Sequence, residues 1–102
     1  MFEGLLPIGT VVLLKNSKKR IMIIGLLQKQ IKEGEEVIWD YSACFYPEGY
    51  MGPDKTFLFN GDQIEKVFAV GYQDEEQFNF KMKIDQVRND LLSKNDKSEN
   101  EE

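Results

Sequence analysis

Apolar and polar residues alternate along the middle of the chain in a pattern typical of β-strands. One face of this predicted strand is apolar throughout and consists of Val37, Trp39, Tyr41, Ala43 and Phe45. The opposite face is mixed, because it carries Asp40 and Ser42 beside apolar residues. Alternation of period two over this length is the firmest local signal in the sequence, and it predicts a strand with one face in a core.

Four shorter runs predict further strands around this one. They are Thr10–Lys15, Arg20–Gln28, Thr56–Asn60 and Val67–Tyr72. The first two flank a polar turn and predict an antiparallel hairpin, in which Gly25 indicates a bulge or a sharp bend. The charged residues 29–36 are expected to form an exposed loop. Asn60 to Gln63 interrupt the strands, and one option for them is a single helical turn capped by Asn60, with Ile64 pointing inward.

A helical period replaces the strand period near the C-terminus. Asp74 and Gln77 have the spacing of a helix capping box. An apolar stripe follows at helical spacing, formed by Phe80, Ile84, Val87 and Leu91 and widened by Phe78 and Met82. These features predict an amphipathic helix over about 74–92, whose stripe either docks on the sheet or binds a partner. Residues 93–102 contain no apolar residue and are expected to form a disordered acidic tail.

Together the elements predict one small domain over residues 1–92. Its predicted class is α+β and mainly β, as a small, strongly bent antiparallel sheet or SH3-like barrel of about five strands with a C-terminal helix. A flat sheet covered by the helix is the alternative. The chain has 102 residues, of which 41% are hydrophobic, and this is enough for one real core.

Charge is unevenly distributed along the chain. Residues 1–32 carry six basic side chains and one acidic, whereas residues 33–102 carry seven basic and seventeen acidic. The net charge of -5 disfavours nucleic-acid binding, because an acidic protein is repelled by a phosphate backbone. The basic cluster Lys18-Lys19-Arg20 is a local exception, and its simplest interpretation is a solvated hairpin turn.

The residues needed for common catalytic and metal chemistry are scarce. There is no histidine, and Cys44 is the single cysteine, placed in an alternating apolar run that predicts burial. Glu48 and Asp54 are the one carboxylate pair worth considering, and they fit solvated turn positions better than acid–base catalysis. We therefore expect no catalytic residue, no metal site, no cofactor and no enzymatic activity. The low cysteine count is compatible with a cytoplasmic location.

No stretch of the sequence predicts a crossing of the membrane. The N-terminus has no basic leader followed by a sustained apolar run, which a secretory signal would require. The longest apolar stretch, Ile21–Leu27, is interrupted by Gly25 and is too short to span a bilayer. We expect no membrane insertion.

Residues 44–55, which we call the turn segment, combine turn-forming residues with large side chains. Pro47, Gly49 and Gly52 predict tight bends, and Tyr50 and Met51 lie between those bends. In one interpretation these two side chains fold back over the end of the core. In the other, the segment is a presented binding loop. The candidate protein-binding residues are Tyr46, Pro47, Glu48, Tyr50, Met51 and Asp54.

Several blocks of the sequence resemble one known family. They lie within residues 5–80 and comprise Leu6–Lys15, Lys19–Gly25, Tyr46–Lys55, Phe59–Asn60 and Ile64–Tyr72. These blocks are similar to the small domain-of-unknown-function family encoded in type VII secretion gene clusters of Gram-positive bacteria, beside LXG-type toxins. The most specific block is Tyr46-Pro47-Glu48-Gly49-Tyr50. The resemblance implies a cytoplasmic targeting chaperone that binds a cognate LXG toxin, alongside small helical partners, before export.

Three functional hypotheses follow from the sequence. The first is a non-enzymatic adaptor or targeting chaperone for a secreted toxin, as the resemblance implies. The second is an immunity protein that neutralises a toxin's catalytic domain, which the acidity of the chain favours because such a domain is often cationic. The third is a small nucleic-acid-binding module, for which Lys18-Lys19-Arg20 is the local support. The oligomeric state is left open.

Overall fold

The computed structural model describes residues 4–100, with side chains described for residues 4–93. This part of the chain forms five strands, two single 3-10 turns and one helix. The strands are β1 (Val11–Leu14), β2 (Ile21–Lys32), β3 (Glu35–Phe45), β4 (Thr56–Phe59) and β5 (Ile64–Ala69), and the helix is α1 (Glu75–Asn100). The 3-10 turns span Pro53–Lys55, before β4, and Gly61–Gln63, between β4 and β5.

All five strands belong to one antiparallel sheet in the order β4-β3-β2-β1-β5. β4 and β5 are neighbours in the chain but lie at opposite edges of the sheet. A short connection joins these edges, and the sheet must bend strongly for the connection to reach. Within the described residues β4 and β5 do not pair, so the sheet is not closed into a barrel. The predicted mainly-β fold of about five strands with a C-terminal helix is confirmed. Of the two forms predicted for it, the structure has the bent open sheet and not the closed barrel.

The first hairpin forms as the alternation predicts. β1 and β2 pair antiparallel, with Val12 opposite Ile21. The predicted irregularity at Gly25 is also confirmed, since the pairing of β2 with β3 shifts its register between Ile23 and Gly25. A Cβ atom at position 25 would overlap the hydroxyl of Ser42 on β3. Glycine therefore allows the two strands to approach each other at the bulge.

The expectation of an exposed loop over residues 29–36 is wrong. β2 and β3 stay paired to their ends, and Glu33 and Gly34 alone form the turn. Both have positive φ, 54° and 81°, as a two-residue hairpin turn requires. The charges that suggested a loop instead face each other across the ladder, where Lys29 Nζ lies 3.2 Å from Glu36 Oε1. Opposite charges in this arrangement support strand pairing.

The hydrophobic core lies inside the bend of the sheet. Its buried members are Leu5, Leu6, Val12, Ile21, Ile23, Tyr41, Ala43 and Phe59. The Phe59 ring lies with its centroid 5.2 Å from that of Tyr41, so β4 and β3 are joined by ring packing as well as by hydrogen bonds. Cys44 is 1% exposed, which confirms its predicted burial.

The turn after β4 is capped as predicted. The side chain of Asn60 accepts a bond from the backbone of Gln63, and the Gln63 side chain accepts the Asn60 N–H at 2.8 Å. Ile64 follows and packs against the core, as expected. β5 begins at this residue, earlier than expected, because Ile64 already pairs with Leu14 of β1.

Gly71 lies against the segment that precedes β1. Its N–H donates to Thr10 Oγ1 at 3.0 Å, and the Thr10 hydroxyl in turn donates to the Pro7 carbonyl oxygen at 2.7 Å. A Cβ atom at position 71 would overlap the carbonyl oxygen of Ile8. That oxygen belongs to the backbone, so the crowding could be relieved only by moving the chain. This contact ends β5 before the expected end of the strand at Tyr72.

Replacing Gly71 with alanine should therefore lower the free energy of unfolding by about 1–3 kcal/mol, the usual cost of overpacking. Urea denaturation measures the change. Gly61→Ala is the matched control, because the atom nearest to a Cβ at position 61 lies 3.5 Å away, at ordinary contact distance. Equal stability of the two variants would contradict the proposed clash with Ile8.

One half of the predicted capping box forms at the start of α1, since Gln77 Oε1 is buried without a hydrogen-bond partner among the described residues. Asp74 Oδ1 accepts the N–H of Gln77 at 2.9 Å. The helix is assigned to Asn100, past the end expected near residue 92. The prediction of a disordered acidic tail over 93–102 falls mostly on residues whose side chains lie outside the described range, and it stays a prediction.

Candidate functional site

The turn segment is tightly folded. The peptide bond between Tyr46 and Pro47 is cis, and the Gly49 N–H donates to the Phe45 carbonyl oxygen at 2.8 Å. Gly49 and Gly52 have φ of 86° and 114°, in the region that glycine adopts readily. The 3-10 turn that begins at Pro53 completes the second bend. Both bends predicted for this segment are therefore present.

Two residues of the β1–β2 turn hold the turn segment in place. Lys19 Nζ lies 2.8 and 3.0 Å from the two carboxylate oxygens of Glu48. The hydrogen bond from Lys19 lowers the pKa of Glu48 below its usual range. Tyr46 donates its N–H to the Arg20 carbonyl oxygen at 3.0 Å, and the Arg20 guanidinium lies 5.3 Å from the Tyr46 ring centroid. The basic cluster is thus more than a solvated hairpin turn, because it anchors a neighbouring loop.

Tyr50 and Met51 project from this anchored segment into solvent. Their side chains are 61% and 45% exposed, so the interpretation in which they cover the core is wrong. Pro47 and Asp54 are also exposed. Tyr46 is half-buried against the β1–β2 turn, so the six candidate residues do not form one equally accessible patch.

Arg20 also connects the turn segment to β5. Its guanidinium carbon lies 5.2 Å from the ring centroid of Phe68, and Lys66 Nζ lies 4.9 Å from the same ring. A cation at such a distance from the face of an aromatic ring is attracted to the ring. Tyr46, Arg20, Phe68 and Lys66 therefore form a row across the sheet surface, which we call the Arg20 row. Sequence reasoning missed the row, since Lys66 lies outside the strand predicted over Val67–Tyr72 and its only signal was its spacing of two residues from Phe68.

The apolar stripe of α1 docks only in part. Ile84 packs against the core, and Leu91 lines a cleft beside it. The other four members of the stripe are between 50% and 73% exposed: Phe78, Phe80, Met82 and Val87. The interpretation in which the whole stripe docks on the sheet is therefore wrong, and much of it faces solvent.

Polar residues share the docked side of α1. Arg88 Nε lies 2.7 Å from Asp40 Oδ1, and its Nη2 lies 3.3 Å from Oδ2. Asp40 is only 9% exposed, and its Oδ2 also accepts the N–H of Gly61 at 2.8 Å. The hydrogen bond to Asp40 raises the pKa of Arg88, which keeps the guanidinium charged. Nearer the start of α1, Asp85 Oδ1 accepts the N–H of Leu5 at 2.9 Å.

Sequence reasoning did not select Asp40 or Arg88. Asp40 was visible as a carboxylate on the mixed face of a largely apolar strand, and a buried acid of this kind requires a cationic or hydrogen-bonding partner. Arg88 lies four residues after Ile84 and therefore on the same side of a helix. These two signals are compatible with many pairings, and the fold is needed to show that Asp40 and Arg88 meet.

A cleft of about 1080 Å³ opens between α1, β3 and β5. Its apolar lining includes Leu27, Val37, Ile38, Ile64, Val67 and Leu91. A smaller groove of about 370 Å³ runs along the opposite flank of α1, between Phe80, Ile84 and Val87 of the helix and Leu26 and Leu27 of β2. The helix thus leaves apolar recesses on both of its sides.

Tyr41 lies at the wall of the cleft and joins it to the core. Its hydroxyl oxygen accepts the N–H of Leu6 at 2.9 Å. Burial is the main cause that raises the pKa of Tyr41 above its ordinary value. A raised pKa means that the folded state favours the neutral phenol, so the contribution to stability is complete below the unfolded pKa of about 10. It is lost as the pH rises through the folded pKa.

Stability should consequently depend less on pH above about 10 in Tyr41→Phe than in the unmodified protein. At neutral pH the variant should lose about 1–3 kcal/mol, because the Leu6 N–H is left without its acceptor. Urea denaturation at a series of pH values measures both effects. Tyr50→Phe is the control, because the side chain of Tyr50 is 61% exposed, and it should keep the full alkaline slope. An unchanged slope in Tyr41→Phe would contradict the assignment.

Two other kinds of site have no candidate within the described residues. No group of three or more carboxylate or cysteine side chains there could hold a metal ion. The described part of the chain also has no helix that is long and apolar enough to cross a membrane.

Comparison with known proteins gives one match. Residues 5–80 match the model of a family described as a domain of unknown function, DUF4176. The matched range contains the whole sheet, the turn segment and the first residues of α1. No curated protein and no solved structure matches the chain.

Proposed function

The chain belongs to the DUF4176 family, and we propose that it acts as a non-enzymatic adaptor that binds another polypeptide. The observation that carries this proposal is the exposure of Tyr50 and Met51, at 61% and 45%, on a segment whose backbone is held in place. Tyrosine is enriched among the residues that dominate binding energy at interfaces. A loop that is already ordered loses little conformational entropy when it binds, so more of the contact energy appears as affinity.

Other exposed apolar residues support a surface of the size that a protein partner needs. A stable interface buries roughly 800 Å² on each partner, far more than one tyrosine and one methionine provide. The larger apolar side chains that are at least 42% exposed elsewhere include Phe68, Phe78, Phe80, Met82 and Val87. Their number in so small a domain favours a covered surface in the working state of the protein.

We further propose that the partner is an LXG-type toxin exported by type VII secretion, and that the protein serves as its targeting chaperone in the cytoplasm. The resemblance of the block from Tyr46 to Tyr50 supports this choice. Small helical accessory proteins would bind the same toxin beside it.

Titration calorimetry with a purified LXG-type toxin from the same gene neighbourhood tests the proposal. We expect a complex with a defined stoichiometry, and an affinity at least about tenfold weaker for Tyr50→Ala, a loss of about 1.4 kcal/mol. Tyr72→Ala is the matched control, because Tyr72 is 80% exposed but lies outside the turn segment. Absence of binding at micromolar concentrations, or equal weakening by both variants, would contradict the proposal.

The acidity of the chain fits the second hypothesis, an immunity protein. An immunity protein must bind the catalytic domain of the toxin, whereas a targeting chaperone need not. Repeating the titration with a toxin that lacks its catalytic domain separates the two: retained binding supports the chaperone, and lost binding supports immunity. The nucleic-acid hypothesis loses local support, because Lys19 is paired with Glu48 and Arg20 lies over two aromatic rings.

A further inference from the structure

One edge of β3 is paired over only part of its length. β4 pairs with β3 at residues 41–44, whereas β2 pairs with the opposite edge as far as residue 35. Within the described residues, no strand pairs with the β4-side edge over residues 35–40. β5, at the far end of the sheet, pairs with β1 alone. The cleft between α1, β3 and β5 is bordered by both incomplete edges, through residues 36–38 of β3 and 64–67 of β5.

The direction of the unpaired backbone groups follows from Asp40. Its N–H donates to Asn60 Oδ1 at 3.0 Å, on the side of β3 where β4 lies. The N–H and C=O groups of alternate residues in a strand point to the same side. Ile38 and Glu36 therefore direct their backbone groups to that side too, beyond the end of β4. Backbone groups of this kind bond to water or to another strand.

The size and lining of the cleft favour a polypeptide occupant. Its volume of about 1080 Å³ is large enough to admit several side chains of a polypeptide segment. Ile38 of β3, Ile64 of β5 and Leu91 of α1 supply apolar surface on three sides. An extended segment could bury alternate side chains against these residues while its backbone pairs with β3.

The charges around the cleft favour a basic occupant. Two of the carboxylates that line it are already paired, Glu36 with Lys29 and Asp40 with Arg88. Asp62 and Glu65 are exposed lining residues, and Lys66 is the exposed cation beside them. Lys66 also lies over the Phe68 ring, 4.9 Å from its centroid, on the Arg20 row. The rim between β4 and β5 is therefore net negative.

We propose that this cleft binds an extended segment of a partner protein as an added strand on β3, and that the segment alternates apolar residues with lysine or arginine. The inference rests on the proposed adaptor function in that the partner is a polypeptide. It assigns a second contact surface, however, which lies apart from Tyr50 and Met51. Toxin binding could therefore occur without strand addition, and strand addition can be tested without the toxin.

The probe is a synthetic octapeptide of alternating valine and lysine, titrated into the ¹⁵N-labelled full chain and followed by amide NMR shifts. We expect saturable shifts confined to residues 36–40 of β3 and 64–67 of β5. The same peptide with N-methyl groups on alternate residues keeps its side chains but loses the strand hydrogen bonds, and it should bind at least about tenfold more weakly. Equal binding of both peptides, or the absence of localised shifts, would overturn the proposal.

Charge reversal on the rim tests the basic character of the segment. Asp62→Lys combined with Glu65→Lys should weaken binding of the valine–lysine peptide at least about tenfold and should improve binding of a valine–glutamate peptide. Glu75→Lys combined with Glu76→Lys is the control, because both residues are exposed and neither lines the cleft, and it should leave both affinities unchanged. Equal effects of the two sets of changes would overturn the charge assignment.

A second copy of this chain is the competing occupant. Sedimentation equilibrium over a range of protein concentrations detects such self-association. A monomer that takes up the peptide supports a partner segment. A dimer that the peptide dissociates would overturn the assignment to a different protein, because the cleft would then be filled by the chain itself.

Discussion

Phe59→Ala is expected to lower the free energy of unfolding by about 3–5 kcal/mol, the largest effect of any substitution proposed for this protein. Phe59 is 1% exposed and packs on Tyr41 from the edge strand β4. Its removal leaves a cavity between two strands, and β4 has only four residues with which to compensate. Since domains of this size are stable by about 5–15 kcal/mol in total, the variant should lose a large part of its stability and unfold at a lower temperature and urea concentration.

Phe80→Ala is the matched control for this prediction. Phe80 has the same side chain, but it is 51% exposed on α1, so its removal should cost less than about 1 kcal/mol. Urea denaturation followed by Trp39 fluorescence gives both values. A loss at Phe59 no larger than the loss at Phe80 would mean that the core does not depend on β4.

Arg88→Met is expected to have the second largest effect, because it leaves the buried carboxylate of Asp40 without its cation. Breaking a fully buried pair costs about 3–5 kcal/mol, and the 32% exposure of the Arg88 side chain reduces this through solvent screening to about 1–3 kcal/mol. The Gly61 N–H would still donate to Asp40, so the loss should not reach the upper limit. Because α1 docks through this pair, protection of its amides from hydrogen exchange should fall along with the stability.

A double-mutant cycle with Asp40→Asn isolates the pair. Each single variant should be destabilised. The double variant should lose less stability than the sum of the two single losses, because once one partner of the ion pair is gone, changing the other breaks no further interaction. Asn89→Met is the control, since it places the same side chain at an exposed neighbouring position of α1. Additive losses at positions 40 and 88 would show that the ion pair does not hold the helix.

Features encoded by neighbouring residues could be predicted from the sequence. Alternation indicated the strands, and the spacing of Asn60 and Gln63 indicated the capped turn, because each depends on contacts only a few residues apart. Gly25 could be interpreted as a bulge for a similar reason, since a glycine inside a strand often marks a bulge or a close approach of another backbone. In each case the local preference and the tertiary contact act in the same direction.

Features that depend on distant partners could not be predicted. The apolar stripe of α1 shows that the helix is amphipathic, but its rotation on the sheet is decided by where Arg88 finds Asp40 and where Asp85 finds the N–H of Leu5. These bonds join residues 48 and 80 positions apart in the chain. Phe80 and Val87 are left half-exposed as a result.

The candidate site, like the fold, could be predicted only in part. The bends of the turn segment follow from its prolines and glycines, but two interpretations of Tyr50 and Met51 remained open until their exposure was known. The anchoring of the segment by Lys19 and Arg20 required the position of a hairpin turn that precedes it by more than twenty residues. The cleft depended on the meeting of β3, β5 and α1, which no single stretch of sequence encodes.

The contact of Gly71 with Thr10 has a consequence for how the sheet is built into a longer polypeptide. The hydrogen bond between these residues brings the two ends of the five-stranded unit side by side. A unit whose ends adjoin can be inserted into a loop of a host protein, or circularly permuted with a short linker, without separating its strands. New termini could then be opened at Glu33 and Gly34, where the chain turns in solvent and packs against nothing that the sheet requires. The β-sheet of this protein therefore has the geometry of a portable module, provided that α1 is carried with it, because Ile84 packs against the core.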